Sequence, residues 1–167
     1  ISSTAVDILA TFIPDDFIHI ADLNPGRGRL GNRLRVTHGY YVHEDYEKVL
    51  QLPEVCTSPF DMIIGCPTEK ESLADVLKNL SDVPCFAVLM THSEYERQID
   101  LCPTSKSYQI IDIKPEIPML YPRQGTVKAT QKLEHFVWIC KGLVMPSQYL
   151  YAWDANTLFD THGSQYV

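Results

Sequence analysis

Ile18-His19-Ile20-Ala21-Asp22-Leu23-Asn24-Pro25-Gly26-Arg27-Gly28-Arg29-Leu30 is the stretch that decides how this chain reads. Phe17–Ala21 is short, apolar and suited to a strand. It runs into an acidic residue and then a turn spaced Asp-x-x-x-Gly-x-Gly. Gly26 and Gly28 let the backbone turn sharply and leave room for a ligand against it. Asp22 can accept hydrogen bonds from a ligand amine or hydroxyl. A second acidic position, Glu44 or Asp45, follows the next strand candidate, Tyr40–His43. In a nucleoside site an acidic residue there meets a ribose hydroxyl. A dinucleotide fingerprint asks for a third glycine. Leu30 and Gly31 read as off its register, so phosphate is the less favoured ligand.

Outward from this turn, helix and strand signals alternate. Ala5, Ile8, Leu9 and Phe12 recur at helical spacing, with Ser3 or Thr4 as cap and Pro14 as stop. Gly31–Val36 reads as a short helix or turn, and Tyr46–Gln51 as a weak helix stopped by Pro53. Phe60–Gly65 and Cys85–Met90 are near-continuous apolar strands. Leu73, Val76, Leu77 and Leu80 mark a helix over Glu71–Leu80. Ser93–Leu101 reads as another helix, capped by Ser93 with Glu96 three residues on. Tyr108–Ile113 and Phe136–Cys140 close the series as strands. Pro115–Thr130 reads as one long loop.

Apolar strands alternating with helices predict an α/β domain with a mostly parallel sheet and helices on both faces. The last two strands lack a helix between them and predict an antiparallel edge pair. The domain spans residues 1–143, and 144–167 is expected as an extended or partly disordered C-terminal tail. In such a sheet, ligands bind beyond the carboxyl ends of the strands. The positions of interest therefore follow Ala21, His43, Ile64 and Met90.

Composition bounds the partners. The 167 residues are 45% hydrophobic and 21% charged, ordinary for a globular chain. No apolar run approaches the roughly 18 residues of a membrane span. Fourteen Lys and Arg against 21 Asp and Glu give a net charge of −7, which argues against strong non-specific nucleic-acid binding. A local basic groove remains compatible with that balance. Arg27, Arg29, Arg33 and Arg35 form one basic cluster, Lys128 and Lys132 a weaker one, and a solvated face is the simpler reading of both. Cys56, Cys66, Cys85, Cys102 and Cys140 are odd in number and widely spaced, with no spacing that suits zinc. They point to an intracellular, reducing setting without structural metal. Cys85 and Cys140 read as small buried hydrophobes. The chain opens on Ile1 without an initiator Met or signal-peptide pattern, which reads as a trimmed fragment.

With these residues in place, Asp22-x-x-x-Gly26-x-Gly28 resembles motif I of class I S-adenosylmethionine-dependent methyltransferases. The layout over roughly residues 4 to 142 is similar to bacterial and phage adenine-N6 DNA methyltransferases. Phe60-Asp61-Met62-Ile63-Ile64-Gly65-Cys66-Pro67-Thr68-Glu69 lies where that family carries Asn/Asp-Pro-Pro-aromatic. Phe86–Met90 resembles its next strand, and Glu134–Ile139 the strand that closes such domains. The resemblance implies a Rossmann-like sheet, S-adenosylmethionine held by Asp22, Asn24, Gly26, Gly28 and Glu44 or Asp45, and a target site bordered by Cys66, Pro67 and Glu69. It also implies a nucleic-acid substrate, DNA or RNA.

Only Pro67 keeps the family's catalytic pattern. A thiol at position 66 is a poor hydrogen-bond acceptor, and Glu69 offers no flat surface on which a flipped base can stack. Loss of such a positioned acceptor costs on the order of a hundredfold in rate. The chain also lacks room for an added target-recognition segment, so nucleic acid would be met through a partner subunit. The alternative expectation is a catalytically inactive scaffold or accessory subunit that binds a protein partner. Tyr149, Tyr151 and Trp153 alternate in the tail, either as a docking face or as a clamp on the domain's own edge. Cys66 as a nucleophile is disfavoured, because Cys precedes Pro where cytosine-C5 enzymes have the reverse order. His38, His43, Glu44 and Asp45 read as solvated loop residues rather than metal ligands. His92 and Ser93 lack the surroundings of a hydrolase elbow.

Overall fold

The computed structural model describes residues 3–24, 30–44, 60–67, 70–102, 108–114, 116–120, 131–145 and 149–154. The strands are β1 (His19–Asp22), β2 (Tyr41–His43), β3 (Met62–Gly65), β4 (Phe86–Thr91), β5 (Gln109–Lys114), β6 (Ile117–Leu120), β7 (Gln131–Glu134), β8 (Phe136–Lys141) and β9 (Tyr149–Asp154). The helices are α1 (Ser3–Ala10), α2 (Leu30–His38), α3 (Leu73–Asn79) and α4 (His92–Gln98), with a 3₁₀ turn at Ile99–Leu101. The expected helix at Tyr46–Gln51 lies outside the described residues.

Seven strands form one sheet in the order β2-β1-β3-β4-β8-β5-β9. β1 pairs parallel with β2 and β3, and β3 with β4. β8 runs antiparallel to both β4 and β5, while β9 is parallel to β5. All strands of this sheet except β8 therefore point the same way. The fold is Rossmann-like α/β, mostly parallel, with the β5–β8 antiparallel pair formed as the sequence predicts. β8 is also wedged against β4, and β9 extends the sheet beyond β5. Tyr149–Asp154 thus belongs to the sheet, and the strand reading of the tail holds on this domain's own edge. Pro115–Thr130 is not one loop throughout: Ile117–Leu120 pairs antiparallel with Gln131–Glu134 as a separate two-stranded sheet.

The strands are continuous apolar runs because both faces of the sheet are covered. Met62, Ile63, Ile64 and Gly65 are all buried, as the period-two alternation of side chains demands when neither face meets water. On one face, Ile20, Met62, Ile64, Ala87, Leu89, Ile111 and Trp138 pack against Ala5, Ile8 and Leu9 of α1 and Leu30 and Leu34 of α2. On the other, Ala21, Ile63, Phe86, Val88, Val137 and Ile139 pack against Leu73 and Leu77 of α3, with Tyr95 of α4 against the same cluster. The fully buried Trp138 donates its Nε1–H to the Ala5 carbonyl at 2.9 Å, which fixes α1 on β8. α4 is capped by Thr91, whose hydroxyl accepts the Glu94 N–H, rather than by Ser93. The cap falls earlier because the chain enters the helix directly from β4.

No helix among the described residues is long and apolar enough to cross a membrane. Cys66, Cys85, Cys102 and Cys140 are buried and outside any disulfide. Burial pushes the Cys85 thiol up to about 12 and that of Cys140 well above its ordinary value, so both behave as the inert small hydrophobes expected.

Candidate functional site

The strand order reverses between β1 and β3. From β1 the chain first adds β2 on one side, then returns to add β3 and β4 on the other. A crevice outside the carboxyl ends of the strands forms at such a switch point. Asp22, Glu44 and Cys66 come to this edge from the ends of β1, β2 and β3.

Asp22 is the last residue of β1 and is 2% exposed. Its Oδ1 accepts the Asn24 N–H at 2.9 Å, and the Gly31 N–H donates to the same carboxylate. One side chain thus holds both described ends of the glycine turn, the second of them in the first turn of α2. An anion is favoured there because the leading N–H groups of a helix have no partner within it. Burial nonetheless dominates and raises the carboxyl to about 6; the Glu44 charge adds to the rise, while the two N–H bonds and Arg35 oppose it.

Glu44 stands just past β2 and accepts from Arg35 Nη2 at 3.2 Å, with about half its side chain exposed. Arg35 also donates to the Val42 carbonyl. Gly31 lies between the two carboxylates. A Cβ on it would sit 2.8 Å from Val42 Cγ1, 2.9 Å from Asp22 Oδ2 and 3.7 Å from Glu44 Oε1. Only a glycine lets α2 start this close to β1 and β2. This corrects the reading of Gly31 as off register: Gly26-x-Gly28-x-x-Gly31 is the spacing of a third glycine, and close helix–strand packing is the third glycine's role. The signal was legible as spacing alone. Arg35 as the partner of Glu44 had no such signal, because it depends on how α2 lies over β2.

Asn24 reaches across the switch point. Its Oδ1 accepts the Cys66 N–H at 2.8 Å, and its Nδ2 lies 3.5 Å from Glu71 Oε2. The side chain clasps the end of β1 to the end of β3, a tertiary role its place in the motif does not reveal. A cleft of about 250 Å³ lies beside this clasp, lined by Leu23, Asn24, Lys70, Glu71, Asp75 and Asn79 among others. It is smaller than a usual cofactor pocket and is not lined by Asp22 or Glu44. The buried Asp22, the half-exposed Glu44 and the close-packed Gly31 therefore define the candidate site better than the cleft does.

Cys66 is buried and Pro67 partly so at the carboxyl end of β3. The structure therefore brings Asp22, Asn24, Glu44, Cys66 and Pro67 to one edge. Gly26, Gly28, Asp45, Thr68 and Glu69 lie outside the described residues, as do Arg27 and Arg29. Of the basic cluster, Arg33 pairs bidentately with Asp7 and Arg35 with Glu44, so both cations are neutralised within the fold. His38 and His43 do not meet: His38 bonds Asp7 at 2.8 Å, and His43 lies 3.0 Å from a ring nitrogen of His19.

No family model matches the chain, and no curated protein does. Among solved structures it is similar to a functionally unknown protein from Deinococcus radiodurans R1, at 13% identity and a TM-score of 0.35, over 83% of this chain and 86% of that one.

Proposed function

We propose that this chain is a methyltransferase-type domain that holds S-adenosylmethionine at the carboxyl edge of β1 and β2. The observation that carries the reading is the pair of carboxylates, Asp22 and Glu44, ending adjacent strands on either side of a glycine with no space for a side chain. Glu44 is the group for the ribose hydroxyls, with Arg35 holding its carboxylate in place. Asp22 shapes the turn against which the rest of the ligand lies. The cofactor would supply an electrophilic methyl group, and an amino nitrogen of a nucleic-acid base, DNA or RNA, is the acceptor the resemblance implies. The buried thiols fit a reducing, intracellular setting.

A second reading rests on Cys66. Its N–H is taken by Asn24, and its thiol is a poor acceptor for the amino group such a reaction needs. In that reading the domain binds the cofactor, or only keeps its fold, and serves a protein partner as an accessory subunit. Calorimetric titration with S-adenosylmethionine and with its demethylated product tests the cofactor site. Micromolar binding that is lost in Glu44→Ala supports it, and no binding overturns it. Transfer of labelled methyl groups to DNA or RNA then separates the enzyme from the accessory subunit.

A further inference from the structure

The same edge of the sheet carries a second constellation, two strands away from the acidic pair. His92 opens α4 directly after β4, His135 directly precedes β8, and Asp112 lies in β5. Because β8 runs antiparallel between β4 and β5, the start of β8 meets the ends of both neighbours: Thr91 pairs with Phe136, and Asp112 with Val137. The His92 N–H donates to the His135 carbonyl at 2.7 Å, which locks the two segments together.

The side chains converge as well. The imidazoles of His92 and His135 stack with centroids 4.2 Å apart and planes within 7°. His135 Nε2 hydrogen-bonds Asp112 Oδ1. One donor atom from each of the three residues lies within 4.8 Å of the others. The Asp112 carboxylate is buried, while each imidazole is about a quarter exposed, so the group faces water on one side. A buried carboxylate is stable only where a cation or strong donors compensate it. Two imidazoles face to face cannot both carry positive charge without strong repulsion, but they can both act as neutral lone-pair donors.

We propose that His92, Asp112 and His135 bind one divalent transition-metal ion of the zinc class. Two imidazole nitrogens and one carboxylate oxygen suit zinc and its neighbours, whereas calcium and magnesium take oxygen donors almost alone. Bonds of about 2.0–2.1 Å place tetrahedral ligand atoms about 3.4 Å apart, and the two stacked rings must swing out of parallel for both lone pairs to point at one ion. Three protein ligands leave a fourth position open for water or another donor. Glu96, one helical turn on, lies 3.6 Å from His92 Nε2. The three ligands come from separate elements, so no Cys/His spacing announces them.

The test uses the full chain stripped with a chelator, titrated with Zn²⁺ by calorimetry and with Co²⁺ by visible absorption. One equivalent should bind at micromolar affinity or tighter, raise the melting temperature and give ligand-field bands with Co²⁺. His92→Ala and His135→Ala should each weaken binding about a hundredfold or more. His43→Ala, which breaks the separate His19–His43 contact, should leave it unchanged. His92 opens a helix on the partly exposed edge of the sheet, so His92→Ala keeps the test sound if His135→Ala fails to fold. No saturable binding by the folded wild-type chain overturns the proposal. So does equal binding by wild type and His92→Ala, or loss of binding in His43→Ala instead.

Discussion

Asp22→Asn should change how stability depends on pH, and the size of the change follows from the site. In the unfolded chain Asp22 titrates near 3.8, and in the fold near 6, chiefly because it is buried. The folded state therefore keeps a proton that the unfolded state releases between those values. The associated stability is fully present below about pH 4 and is lost as pH rises through about 6. About two pH units at about 1.4 kcal/mol each give a loss of about 3 kcal/mol across the window. That is a sizeable part of the 5–15 kcal/mol total typical of a domain. Asparagine is neutral throughout. It keeps an acceptor for the Asn24 N–H but sets an amide against the Gly31 N–H, an offset that is constant with pH. Urea denaturation of both proteins from pH 4 to pH 8 isolates the titration, because other groups cancel in the difference. The stability of wild type minus that of Asp22→Asn should fall by about 2–3 kcal/mol between pH 4 and 7 and then level off. A difference that is flat, or that rises with pH, would refute the assignment of Asp22 as a buried carboxyl with a raised titration point.

Gly31→Ala should displace the Asp22 carboxylate or Val42, since its Cβ would lie within 3 Å of both. A melting temperature lowered by several degrees is expected, and an unchanged one would count against close packing at this helix start. Trp138→Phe removes the indole donor to the Ala5 carbonyl, which keeps only its helical partner within α1. Denaturation should show a loss of about 2–4 kcal/mol from the unmade bond and lost volume. Asp7→Asn removes the charge and one of the two acceptor oxygens that Arg33 and His38 bond, contacts that, against the opposing effect of partial burial, hold the Asp7 carboxyl below its usual range. A depressed carboxyl contributes stability above the unfolded value that is lost as pH falls through the folded one. The variant should therefore be weaker by about 1 kcal/mol at neutral pH, with the deficit closing below about pH 4.

Much of the fold was legible because its strands are covered on both faces. Ile63-Ile64 and Ala87-Val88-Leu89 could be nothing but apolar, and the helices between them showed their buried stripe at Leu73, Leu77 and Leu80. The pairing of β6 with β7 was not legible, since Pro118 interrupts the short apolar run of β6 and Leu133 is the one apolar residue of β7. The alternation of Tyr149, Tyr151 and Trp153 pointed to a strand, but where an edge strand docks is set by the partner it finds, here β5, more than by its own pattern. At the site, Asp22 and Glu44 were readable as acidic residues after successive strands. Gly31 stands in the spacing, and the close approach that requires it shows only in the fold.

The sequence by itself determined the alternation of strands and helices, and with it a parallel sheet, because hydrophobic periodicity is local and survives without tertiary contacts. It also placed Asp22, Glu44 and Cys66 at strand ends, the positions where such sheets meet their ligands. Only the tertiary structure decided that Asn24 is spent on holding Cys66, that Arg35 holds Glu44, and that His92, Asp112 and His135 meet. Those facts depend on β8 inserting antiparallel between β4 and β5 and on α2 closing over β2. Such pairings join residues distant in sequence, and hydrophobic periodicity does not encode which of them end up within a few ångströms.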